Sequence, residues 1–148
     1  MRNLLVFLHL AAAIFWMGGM AFMVLALRPV LHEQLQPPQR LPLITGVLQR
    51  FFVVVAVSIA VLLATGVWLL LQVEPRMAPP GWHAMATLGV VMVLVFGHIW
   101  FSPYRKLRAA VAAGNWPEGG KRAGQVTLLA KVNLGIGWIA IAAVMLWR

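Results

Sequence analysis

The sequence predicts an all-α integral membrane protein, a four-helix bundle of four transmembrane helices with both termini outside (N-out/C-out). Three observations predict it. Hydrophobic residues make up 62% of the 148 and charged residues 10%, against roughly 45–50% and about 25% in soluble domains. A soluble domain of this length keeps too much surface to hide that much apolar side chain. Four apolar runs each supply the roughly 20 helical residues that a hydrocarbon core requires, and the charge of the connections between them alternates. The chain reads as a single transmembrane domain over residues 1–148.

Span one is placed near Leu4–Leu27. Its apolar stretch is longer than the roughly 7–15 residues of a signal-peptide core and ends at Arg28-Pro29 without a convincing cleavage site, so it reads as a permanent helix. Residues Arg28–Gln36 are expected to prolong it past the membrane until Pro37-Pro38 stops it. Span two is placed near Leu48–Gln72 and span three near Trp82–Phe101. The segment SPYRKLRAAVAAG reads as a basic extension of span three, ended by Gly114, with NWPEGG as the turn that follows. Span four is placed near Val126–Trp147. Trp82 and Trp147 suit the outer interface, where the indole N–H meets water while the ring stays in lipid.

Arg28, Arg40 and Arg50 mark the first connection, and Arg105, Lys106, Arg108, Lys121, Arg122 and Lys131 the third. The second, VEPRMAPPG, holds only Arg76. The positive-inside rule then puts the first and third connections in the cytoplasm of a bacterial-type inner membrane. The formal charge of +9 is accounted for by this topology together with anionic lipid head groups, and no nucleic-acid partner is expected.

Composition also removes whole classes of chemistry. The sequence has 0 Cys, which excludes disulfides, thiolate metal sites, c-type haem attachment and cysteine nucleophiles. Glu33, Glu74 and Glu118 are its only acidic residues, so paired-carboxylate catalysis, Ser-His-Asp triads and calcium loops lack raw material. Any chemistry falls to four histidines, eight methionines, basic side chains and a bound cofactor.

His9 lies within FLHLAAAIFWMGGM, at a depth where an ionisable group needs a partner. With the predicted topology spans one and three run parallel, and His83 at the start of span three shares His9's level. Two imidazoles at one level on two helices of a bundle would clamp haem iron from both faces. His98 follows His83 by about 22 Å along the same helix, offset by roughly 60°, and reads as an inner ligand or polar gate. Plain alternatives stand beside these readings. His9 would bond a neighbouring helix, His83 would be an interfacial polar residue, and His98 would cap the membrane edge near Trp100 and Tyr104; His32 reads as a solvated or head-group residue. Met17, Met20 and Met23 recur every third residue on roughly one face of span one. Their thioethers would favour Cu(I), or they are ordinary packing residues. Gly18-Gly19 would let a helix or a flat macrocycle approach. Arg50, Lys131 and Asn133 add polar groups near the inner face, with lipid phosphate as the default partner.

The segments HLAAAIFWMGGMAF, LALRPVL, PPQRLPL…VLQRFF, PPGWHAM and FGHIWF, in this order, resemble the CopD family of small membrane proteins named after copper-resistance protein D. That resemblance implies copper uptake or handling across the inner membrane. The layout also resembles, more loosely, the HemJ-type protoporphyrinogen oxidases, whose haem b would carry over onto His9 and His83 as axial ligands. The leading expectation is a b-type haem protein for electron transfer or small-molecule redox, with a redox partner or quinone-like small molecule as partner and a haem-dependent membrane oxidoreductase as the enzyme class this would allow. It would be held by His9 and His83, with His98 as an inner ligand. The alternative is a copper-transport or copper-binding protein using His9, His83, His98 and the Met17, Met20 and Met23 face. A cofactor-free assembly subunit, docking another membrane protein or a second copy as a homo-oligomer, is the third reading.

Overall fold

The computed structural model describes residues 1–74 and 77–147; Pro75, Arg148 and Arg76, the lone basic residue expected in the second connection, lie outside the described residues. Four long helices account for nearly all of it: α1 (Arg2–Gln34), α2 (Pro37–Leu71), α3 (Pro80–Ala112) and α4 (Trp116–Leu146). All four are long and apolar enough to cross a membrane. Their outward faces carry side chains such as Phe7, Ile14, Phe22, Val57, Leu94, Ile139 and Met145, all exposed, which water would not tolerate over so large an area. The protein is a multi-pass membrane protein.

The helices begin and end where the chain chemistry dictates. Pro37 sits in the first turn of α2, where its missing N–H is unneeded, and Gln36 ahead of it is extended. α2 therefore starts eleven residues before the expected Leu48, running through Pro42. α3 continues past the membrane as the sequence predicts and ends at Gly114, whose φ of 68° is the left-handed conformation that closes a helix. The expected turn NWPEGG is instead mostly helix. The Asn115 side chain accepts from the Glu118 N–H at 3.3 Å, with Pro117 behind it in the first turn, so α4 begins at Trp116.

Two helices change pitch at a proline. Met23–Leu27, ahead of Pro29, and Trp100–Tyr104, containing Pro103, are π-helical turns. Proline cannot donate to the carbonyl four residues back, and widening the turn by one residue relieves the clash. Both π turns lie in the half of the bundle that carries the α1–α2 and α3–α4 connections, here called the basic end.

α1 packs chiefly on α2, and α3 on α4. At the end opposite the basic one, the Gly81 N–H donates to the Trp147 carbonyl at 3.1 Å. A Cβ at Gly81 would collide with backbone oxygen of α4, so only glycine permits that approach. The core centres on Phe52 of α2, whose ring meets Phe96 at 5.3 Å, Trp100 at 5.8 Å and Tyr104 at 4.8 Å. Trp16 of α1 meets Phe96 edge-on at 6.3 Å. In lipid these contacts gain little from leaving solvent, since acyl chains are as apolar as leucine. Close packing and aromatic geometry, about 0.5–1.5 kcal/mol per ring pair, hold the helices together.

Candidate functional site

The polar and sulfur-bearing side chains of the interior form a column that runs down α1 and is completed by the other three helices. At its top, the His9 Nδ1 lies 2.8 Å from the Thr65 hydroxyl oxygen on α2. That hydroxyl donates its single proton to the Val61 carbonyl at 2.6 Å, so it accepts from His9. The proton of a neutral His9 is thereby assigned to Nδ1, and Nε2 keeps its lone pair. Gly66, beside Thr65, makes room for the ring; a Cβ there would stand 3.3 Å from His9 Cε1. A histidine held through one nitrogen with the other unprotonated is the usual arrangement of a metal-binding imidazole. It is equally an adequate way to satisfy a half-buried histidine.

About 12 Å further along α1 lies Met17. Its thioether and the Met92 side chain of α3 both approach Gly137 of α4. A Cβ on Gly137 would overlap the Met17 sulfur and stand 3.1 Å from the Met92 methyl carbon. Side chains from two helices thus converge on a glycine of a third, the Met17 sulfur and the Met92 methyl group both approaching Gly137. Next along the column is a cavity of about 40 Å³, lined by Met20, Met23, Phe52, Phe96, Arg28 and Asn133 among others. That volume holds a few waters or a small ion. Asn133 is buried to 1% exposure. Its amide N–H₂ donates to the Met92 carbonyl at 3.3 Å, while its side-chain oxygen has no partner. An unpaired amide oxygen in a buried wall costs free energy unless something meets it.

The expected site residues are thus divided. His9, Met17, Met20 and Met23 face neighbouring helices. His83 and His98 do not: both are exposed, on the outward side of α3. Nine residues separate His83 from buried Met92, which puts them roughly 180° apart on the helix. His83 and His98 share that outward face with Thr87 and Leu94, also exposed. The structure does not bring His9 and His83 together, and the interior cavity is far smaller than a porphyrin. This placement gives no support to haem b clamped between them, nor to an inner haem on His98. Among the described residues no three His, Cys, Asp or Glu side chains gather into a metal site.

Arg50 and Lys131 are exposed, as residues facing lipid head groups are. Of the glycine pair in span one, Gly19 takes the edge of the Phe51 ring and Gly18 has nothing within 4 Å. The sequence reading missed Thr65, Gly66, Met92 and Gly137. Each is unremarkable within its own helix and acquires meaning only through a side chain on another.

The family model for copper resistance protein D matches residues 45–147. The chain belongs to the CopD family. The match covers α3, α4 and most of α2, including Thr65, Met92, Asn133 and Gly137. It leaves α1 outside, with His9 and the three methionines. No curated protein and no solved structure matches the chain. The looser likeness to HemJ-type oxidases is not borne out by these comparisons, whereas membership of CopD associates the protein with copper resistance.

Proposed function

We propose that this CopD-family protein binds copper as Cu(I) within its helix bundle and passes it along the interior of a bacterial inner membrane. The observation that supports the reading is the convergence of the Met17 and Met92 side chains on Gly137, in the same bundle as a cavity walled by Met20, Met23 and Asn133. Thioethers are soft, uncharged ligands that prefer Cu(I) to the harder divalent ions, and imidazole binds copper as well. A column with His9 at one end and sulfur below it offers a monovalent ion successive weak sites. Weak, repeated sites let an ion enter and also leave. The copper is cargo here, and the protein's part is to supply ligands and exclude water.

The test is Cu(I) binding to purified protein in detergent, by competition with a chromogenic Cu(I) chelator, with an absorption spectrum of the same sample. Stoichiometric Cu(I) is expected, weakened at least tenfold in Met17→Leu and Met92→Leu. These substitutions remove sulfur while nearly preserving volume. A Soret band from bound haem would overturn the reading. So would Cu(I) affinity unchanged in both variants. Neither ligand, with a membrane partner co-purifying, would favour an assembly subunit.

A further inference from the structure

At the basic end, beyond the cavity, three basic side chains converge on one recess. Arg28 and His32 come from the prolongation of α1, and Arg40 from the first turn of α2. Leu31, Leu41, Ile44, Gly120 and Ala123 form the remaining wall. The Arg28 guanidinium donates to the Ala123 carbonyl of α4. Arg40 donates to the Leu35 carbonyl at 3.3 Å, and its Nε is buried without a partner. Two guanidinium groups therefore share a pocket, each anchored by one bond to a neutral carbonyl, with most of their donors unspent.

No carboxylate compensates them. Of the three acidic residues, Glu118 is paired with Arg122 at 2.6 Å, Glu33 is exposed, and Glu74 lies in the connection at the opposite end. Pro75, Arg76 and Arg148, outside the described residues, are not acidic either. Like charges forced together in a partly desolvated recess raise each other's cost, and an anion of matching geometry removes it. The recess is about 20 Å³, room for the leading oxygens of an oxyanion and not for a bulky organic ligand. Planar forks of N–H donors fit tetrahedral and carboxylate oxyanions, and a tetrahedral group uses donors arriving from two helices at once.

We propose that Arg28, Arg40 and His32 form a binding site for a phosphate group, held between the α1 prolongation and the starts of α2 and α4. The phosphate is that of a lipid head group or free inorganic phosphate, and both present the same oxygens. Because Arg28 also lines the methionine-walled cavity, an anion held there fixes the side chain that closes the basic end of the column. The site is independent of the copper reading, because it uses no sulfur ligand and is measured without metal.

The test uses full-length protein, delipidated in detergent and free of copper, with thermal unfolding as readout. Inorganic phosphate is titrated at constant ionic strength against chloride. Phosphatidylglycerol in mixed micelles forms the second arm. A rise in midpoint of several degrees is expected with one or both probes. It should be lost in Arg40→Gln and in Arg28→Gln and kept in Arg105→Gln, an exposed basic residue outside the recess that removes the same charge. A response to inorganic phosphate identifies a free oxyanion; a response to the lipid alone identifies a head group. If Arg28→Gln fails to fold, Arg40→Gln and Arg40→Lys decide. The lysine variant keeps the charge but loses the fork, and it should bind at least threefold more weakly. No response to either probe in the wild type overturns the proposal, as does equal loss in Arg105→Gln.

Discussion

At the scale of single residues, the interior polar groups are bonded in ways that assign them different parts. His9 is tied by Nδ1 to a hydroxyl whose own proton is committed elsewhere, which fixes both the ring and its tautomer. Thr65→Val removes the hydroxyl and keeps the shape. It takes the hydroxyl acceptor away from the imidazole N–H, and the unfolding free energy should fall by about 0.5–1.5 kcal/mol, the worth of one hydrogen bond. Chemical denaturation in detergent measures this, and nitrogen NMR of His9 should show the proton no longer confined to Nδ1. An unchanged stability and an unchanged tautomer would mean that Thr65 does not hold the ring. Asn133 is the counterpart: its donor is spent on Met92 and its acceptor is not, which leaves an unpaired amide oxygen on a residue of the cavity wall.

At the scale of elements, the two π turns shape the basic end. The turn Met23–Leu27 inserts one extra residue ahead of Pro29, and one residue of register is about 100° of rotation. It aims Arg28 into the bundle and so connects the cavity with the recess beyond it. Pro29→Ala restores the missing N–H and lets the turn relax to regular α-helix. An interior proline costs a helix about 3 kcal/mol, so the variant should unfold at a higher temperature. It should also lose most of the stabilisation by phosphate, because Arg28 swings away from the recess. A variant that becomes more stable and still responds fully to phosphate would detach the π turn from the site.

At the scale of the whole molecule, orientation in the membrane is the property on which the column's direction depends. The basic residues of the first and third connections predict that these face the cytoplasm. The absence of native cysteine makes the measurement clean. In intact cells a membrane-impermeant maleimide should label Met77→Cys and leave Ala113→Cys unlabelled until the membrane is broken; the reverse pattern would invert the protein. Much of this architecture was legible in advance. Hydropathy summed over a window does not depend on what the helix packs against, so four spans and the stops at Pro37 and Gly114 could be read directly. The start of α4 at Trp116 is also written locally, in the Asn115 cap and Glu118, within a segment whose glycines and proline equally suit a turn. The site was less legible, since a helix bathed in lipid is apolar on every side and carries no stripe to mark its inner face. His9 and His83 therefore looked equivalent by depth and residue type, although one meets Thr65 and the other faces outward. The membrane class, the four helices and the poverty of acid and thiol chemistry follow from the amino-acid order alone, because they depend on composition and local pattern. The folded bundle was needed to show that Met17 and Met92 converge on Gly137 and that Arg28 and Arg40 share a recess without a carboxylate. Such meetings depend on which helix lies beside which and at what rotation, and small residues and close packing set both of these between helices.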